Sequence, residues 1–164
     1  MKHGIFFQLL FLIFPLFPAL LDAQERPLNT GLSPDEQYAF IGMTLEELVD
    51  RFGPPRTVAA VRGIEPWQDD VVFQYTGVDF YIHINRVWQV QFATTHGISH
   101  GNRKTAVMLI LGNIASEGAA AEDKGDHALV PVANRDWPLM IRINFNNEEN
   151  TGQVTAIFLY RPDF

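Results

Sequence analysis

Cysteine is absent from all 164 residues. Its absence excludes a disulfide framework, a thiolate metal site, a cysteine nucleophile and the acylated cysteine of a lipoprotein. Basic charge is also scarce: 12 Lys and Arg stand against 19 Asp and Glu, for a net charge of -7. A protein that grips a phosphate backbone needs a basic patch, so nucleic acid is not an expected partner. Neither a Gly-x-Gly-x-x-Gly turn nor a P-loop lysine occurs to cradle a nucleotide. No Gly-x-Ser-x-Gly elbow presents a nucleophile, and Ser33, Ser99 and Ser116 fall at a helix start and in loops. The expectation is a protein without enzymatic activity, metal or cofactor.

What is present begins with an address. Met1-Lys2-His3 is basic, Ile5–Leu21 is apolar, and Ala23 stands where a leader is cut. That order is the secretory pattern. The alternative, an uncleaved anchor, needs about 20 uninterrupted apolar residues, whereas Pro15, Pro18 and Asp22 break this run. The expected product is periplasmic or secreted, cut after Ala23, with no membrane insertion once the leader is gone. Lys2 and Asp22 leave together, so the acidic surplus is unchanged.

The rest divides into a flexible lead-in over 24–32 and two units over 33–95 and 96–164. Ser33-Pro34-Asp35-Glu36 is a capping box with Pro at the first helical position, opening a helix to about Phe40. Thr44-Leu45-Glu46-Glu47 opens a second helix, with Leu45, Leu48, Val49 and Phe52 on one stripe. Gly53 and Pro54-Pro55 stop it. Glu46, Glu47 and Asp50 take its outer side. The period then becomes that of strands over Thr57–Arg62, Val71–Tyr75, Val78–Asn85 and Val87–Ala93. Turns at 63–66, Thr76-Gly77 and Asn85-Arg86 separate them, which favours an antiparallel meander.

The second half follows the same order. Gly101 and Gly112 are spaced like Gly42 and Gly53, with Ala106, Val107, Leu109, Ile110 and Leu111 between them. Leu139–Phe145 and Val154–Leu159 stand where Val78–Asn85 and Val87–Phe92 stand. Glu117 to Asp126, with Glu122 and Asp123, reads as an acidic flexible loop, and Asn146–Gly152 as a long polar hairpin loop. Repetition sets architecture before any site is considered. The expected fold class is α+β: two tandem units, each with short helices on one face of an antiparallel meander, forming an extended sheet with one open face.

Gly42-Met43-Thr44-x-x-Glu47, Phe52-Gly53-Pro54, Trp67, the strand ending at Tyr75 and Val87-x-x-Val90 together resemble the SmpA/OmlA family. In tandem the pattern is similar to the β-lactamase inhibitory protein fold. The resemblance covers about residues 33–160, strongest over Ile41–Phe92, and implies a binding module. Two departures matter. SmpA/OmlA members are lipoproteins and the inhibitory proteins carry disulfides, whereas this chain has no cysteine, so neither family's partner is carried over.

Alternation divides the strands into faces. Phe80, Ile82, Ile84, Trp88, Val90 and Phe92 are expected in the first core, and Leu139, Ile141, Ile143, Phe145, Ile157 and Leu159 in the second. The opposite face then shows Gln74, Tyr81, His83, Gln89, Gln91, Met140, Arg142, Asn144, Phe158 and Tyr160. Aromatic, amide and Arg side chains suit an interface centre. The expected partner-binding set is Tyr81, His83, Gln89, Gln91, Met140, Arg142, Phe158 and Tyr160, facing a protein partner. Trp67 and Trp137, each beside a proline near a strand start, either rim this face or fill the core, and the core is the preferred reading. His96 and His100, four apart, have zinc-chelating spacing on a helix, but they sit in a Gly-bearing linker and read as solvated. Asp69-Asp70, with Glu65, reads as a solvated turn. The alternative function is a small-ligand binder or hydrolase with a site between the units, around His83, His96, His100 and Asp70. A third is a homo-oligomer paired by sheet edges or faces.

Overall fold

The computed structural model describes residues 28, 31–62, 70–115, 119–132, 137–146 and 152–164. The leader, Glu65, Trp67, Asp69, Ser116 and most of the 146–152 loop lie outside them. Both capping boxes form. Ser33 Oγ accepts the Glu36 N–H, while the Glu36 carboxylate accepts the Ser33 N–H, opening α1 (Pro34–Tyr38). Thr44 and Glu47 exchange the same pair of bonds at the start of α2 (Leu45–Phe52). Gly53 ends α2 at φ +75°, a backbone region that favours glycine. The third helix, α3 (Lys104–Ile114), has no side-chain cap.

The strands are β1 (Thr57–Val61), β2 (Asp70–Tyr75), β3 (Val78–His83), β4 (Arg86–Phe92), β5 (Thr94–Thr95), β6 (Ile98–Ser99), β7 (Glu122–Asp123), β8 (His127–Val132), β9 (Leu139–Phe145) and β10 (Val154–Tyr160). Eight of them make one sheet in the order β1-β2-β3-β4-β10-β9-β8-β7, while β5 and β6 form a separate hairpin. Every neighbouring pair is antiparallel. The fold is therefore mixed α+β, with a large antiparallel sheet and few short helices. The sheet runs outward from β4 and β10, the last strand of each meander.

Each of those two strands also holds the loop before a helix. Gly42 N–H donates to Val87 O (2.8 Å), Val87 N–H to Met43 O (2.9 Å) and Leu45 N–H to Asn85 O (3.3 Å). On the other side Gly101 N–H donates to Val154 O (3.0 Å), Val154 N–H to Asn102 O (3.0 Å) and Lys104 N–H to Gly152 O (2.7 Å). α2 and α3 are thus tied to the starts of β4 and β10 respectively.

One buried cluster joins helices and sheet, including Phe40, Leu48, Phe80, Val90, Val107, Leu111, Ile141 and Ile157. Phe40 is its aromatic centre. Its ring lies 5.2 Å from Phe80, 5.6 Å from Phe52 and 6.2 Å from Phe92, centroid to centroid. Tyr75 closes the cluster beneath α2, donating its hydroxyl to Gly53 O at 2.7 Å. The alternation expected for Phe80, Ile82, Val90, Phe92, Leu139, Ile141, Ile143, Phe145, Ile157 and Leu159 is observed, all being buried.

Several expectations need correction. Ile84 is not core: it is 84% exposed. The hairpin turns on Ile84-Asn85, at φ +43° and +65°, so β3 ends one pair earlier than the hydrophobic run suggests. A two-residue turn with both φ positive matches the twist of the flanking strands. Trp88 is not core either. The β3–β4 register slips between Tyr81↔Gln89 and Ile82↔Val87, so Val87 takes the buried place and Trp88 turns to the other face. Within the Glu117–Asp126 stretch, Glu122-Asp123 pair with Leu129 and Ala128 as an edge strand rather than a flexible loop. The Lys104 ammonium contacts the Asp123 carboxylate at 2.6 Å and donates to Gly125 O at 2.8 Å, which fixes that edge. β8 carries no marking in the sequence pattern because Pro131 interrupts it. Pro131 stands beyond the end of β7, where the outer ladder has stopped and proline is tolerated.

Replacing Phe40 by Ala removes the ring shared by α2, β3 and β4 and should cost about 3–5 kcal/mol, read from the urea midpoint. Ile84→Asn should raise the same midpoint, by roughly 1 kcal/mol. It relieves a β-branched residue in the left-handed region and sacrifices no burial.

Candidate functional site

The described helices pack on one face of the sheet; the other face carries the candidate site. Register places the expected residues with some precision. Tyr81 pairs with Gln89, Gln89 with Tyr160, and Tyr160 with Met140, forming one row across β3, β4, β10 and β9. In the adjacent row Asp79 pairs with Gln91, Gln91 with Phe158, Phe158 with Arg142, and Arg142 with Leu129. Directly opposed side chains lie roughly 5 Å apart at Cβ, so each row is a continuous strip. All eight expected residues are half-buried and share this face, with His83 two residues beyond Tyr81.

The polar members are partly ordered by each other. Tyr81 donates its hydroxyl to Gln91 Oε1 at 3.1 Å, and Arg142 Nε donates to Asn144 Oδ1 at 2.8 Å. Burial, reinforced by the nearby Asp79 and Asp70 carboxylates, pushes the Tyr81 phenol up. Burial also pushes the Asp79 carboxyl up, against a weak opposing hydrogen bond from Gln74 at 3.5 Å.

His83 belongs to a corner of which sequence reasoning had grouped only His83 and Asp70, without Trp88 and Phe164. Asp70 opens β2 on this face and is only 9% exposed, contrary to the solvated turn expected for it. Its Oδ2 accepts from Trp88 Nε1 at 3.2 Å, and its Oδ1 lies 3.5 Å from His83 Nδ1. Phe164 stacks on Trp88, with centroids 6.0 Å apart and planes 8° from parallel, and meets His83 edge-on at 5.6 Å. The Arg161 guanidinium lies 5.4 Å from the Phe164 ring and 5.4 Å from Trp137, while pairing with Asp163. Trp137 is therefore a rim residue, 39% exposed, rather than a core filler. The indole also explains why position 42 is glycine, since a Cβ there would come within 3.2 Å of it.

Of the two linker histidines, His96 departs from expectation and His100 does not. Ile98 is fully buried and Thr95 nearly so, because the β5–β6 hairpin folds against α1. His96 is half-buried at φ +50°, not solvated. Thr95 donates its hydroxyl to Gln37 Oε1, so His96 Nδ1–H must donate to Thr95 Oγ1 (2.8 Å) and Nε2 must accept from the Tyr38 hydroxyl (2.6 Å). This relay uses both ring nitrogens of a neutral imidazole. His100 is exposed on the following turn. The four residues of the alternative site are thus distributed: His83 and Asp70 on the uncovered face, His96 under α1, and His100 in solvent. Among the described residues no group of three His, Cys, Asp or Glu could hold a metal ion.

A second concavity, of about 760 Å³, lies between α1, α2 and the Trp137–Leu139 segment. Three of the charged groups that line it have structural duties. Glu47 caps α2, Arg86 donates to Gly42 O at 2.7 Å, and Arg51 lies over the Phe40 and Phe52 rings.

No family model and no curated protein matches the chain. Among solved structures it is similar to an extracellular protein containing an SCP domain from Bacillus anthracis str. Ames. The TM-score is 0.47 and the identity 12%, over 85% of this chain and 49% of that one, so the chain spans about half of that protein's length. Among the described residues no helix is long and apolar enough to cross a membrane.

Burial holds the His96 imidazole below its ordinary value of 6.5, while an unfolded chain protonates it there. Near and below pH 6.5 the unfolded state therefore binds the extra proton first, and stability is lost as the pH is lowered. His96→Asn keeps a residue tolerant of the left-handed region and removes that proton. Relative to the variant, the wild type should lose stability between pH 7.5 and pH 5. Parallel pH curves for the two would refute the buried relay.

Proposed function

We propose that the chain is an exported, non-catalytic module that binds a protein partner on the uncovered face of its sheet, and that it consists of two copies of one helix-plus-sheet unit. Three matching backbone bonds around Gly42 and Val87, and again around Gly101 and Val154, support the duplication. So does the outward order of strands from β4 and β10. Export rests on the leader pattern of residues 1–23.

The observation that carries the binding reading is the pair of cross-strand rows. Tyr81, Tyr160, Met140 and Phe158 are neighbours over the seam between the halves, half-exposed on a face the helices leave bare. Amides and one guanidinium lie between them, the mixture found at interface centres. Aromatic anchors of this kind dominate binding energy when a partner excludes water around them.

With the protein immobilised and envelope extract applied, Tyr81→Ala combined with Tyr160→Ala should weaken partner capture at least about tenfold. Circular dichroism should show an unchanged fold. Equal capture by this variant would remove the face from the proposal.

A further inference from the structure

We infer that the partner of the uncovered face is a second copy of this chain, docked face to face. This rests on the protein-binding reading above and adds the identity of the occupant. In the row Asp79–Gln91–Phe158–Arg142, a carboxylate and a guanidinium stand at opposite ends. Asp79 is on β3, one strand outside β4; Arg142 is on β9, one strand outside β10. They are equally displaced from the seam, about 14 Å apart across three strand spacings.

A two-fold axis parallel to the strands, above that seam, carries β3 of one copy over β9 of the other and β4 over β10. Asp79 of each copy then meets Arg142 of the other, twice by symmetry. The remaining residues match as well. Gln91 meets Phe158, Gln89 meets Tyr160, and Tyr81 meets Met140. Aligned sheets pack in this manner about 10 Å apart, with strands within about 30° of each other.

Among the described residues neither charge is held in an ion pair, although Arg142 acts on the Asp126 carboxylate at longer range. Among the described residues no carboxylate pairs with Arg142, whose Nε alone is used, toward Asn144. No cation pairs with Asp79, whose contact is the long one from Gln74. A uniformly acidic partner would suit Arg142 but meet Asp79 and Asp70; a uniformly basic one would suit Asp79 but meet Arg142. Opposite charges at that spacing and in reversed order are what an inverted copy presents. Four strands of six or seven residues make a patch roughly 20 Å on a side, at the small end of specific interfaces. The dimer should be reversible and concentration-dependent rather than obligate.

Sedimentation of the purified protein from micromolar to near-millimolar concentration tests this. The wild type should dimerise. Asp79→Arg should oppose two guanidinium pairs and Arg142→Glu two carboxylate pairs, each weakening self-association at least about tenfold. Mixed in equal amounts, the two variants should recover dimerisation with each other, because every facing pair is then Arg against Asp or Glu. Recovery also shows that both variants are folded. A monomeric wild type, single variants that dimerise normally, or a mixture that fails to recover would each overturn the inference. If the wild type is monomeric while Tyr81 and Tyr160 still govern capture of a different protein, the second copy is excluded and the binding reading stands. If both fail, the face has no docking role.

Discussion

The antiparallel ladder between β4 and β10 joins the two halves of the chain into one sheet. Phe158 pairs with Gln91, Leu159 with Val90, and Tyr160 with Gln89; beyond them Arg161 N–H reaches Trp88 O at 3.1 Å. Separately, each meander would end in an unpaired strand whose N–H and C=O groups invite other chains. Pairing the two edges satisfies those groups and aligns the pleats. Val90 and Leu159 then point together into the core, and Gln89, Gln91, Phe158 and Tyr160 together point away. Because the pleat is shared, the three helices among the described residues cover one face and the other is continuous from β3 to β9.

A single extra residue changes the upper end of that face. Bulges are places where a strand re-aims a side chain, and the one beside Ile82 sends Trp88 out toward Asp70. A carboxylate as buried as Asp70 requires hydrogen-bond donors, and the indole N–H is one. The flat face of Trp88 then receives Phe164, and Arg161 spans from this stack to Trp137 on the rim. Sequence, bulge, indole direction and the packing of residues 161–164 form one causal chain.

Much of this was legible beforehand and some was not, for identifiable reasons. Capping boxes are local, so Ser33–Glu36 and Thr44–Glu47 announced their helices. Alternation is local too, and it sorted Phe80 from Tyr81 and Ile141 from Arg142 correctly. The same alternation could have placed Asp79 beside Tyr81, since Val78 and Phe80 bracket it. A bulge has no signature in one strand, because it is defined by the register of two. Trp88 and Ile84 were therefore misplaced, at a slipped pair and a shifted turn. His96 was misread for another reason: its partners Tyr38, Thr95 and Gln37 are brought together by α1 docking on a hairpin, 58 positions away in sequence for Tyr38. The Asp70–His83–Phe164 corner likewise draws on three distant segments.

The two faces also differ in how their polar groups are held. Under the helices, Gln37, Thr95, His96 and Tyr38 are hydrogen-bonded to one another. On the uncovered face satisfaction is partial among the described residues: Tyr81 and Gln91 share one bond, Arg142 uses one of its five donors, and Asp79 is desolvated without a cation. Partial satisfaction is tolerable only while water supplies the rest. Any surface that covers this face must replace that water with matching donors and acceptors, so in the docking proposed here the apolar rings would set the affinity while Asp79 and Arg142 would select the orientation.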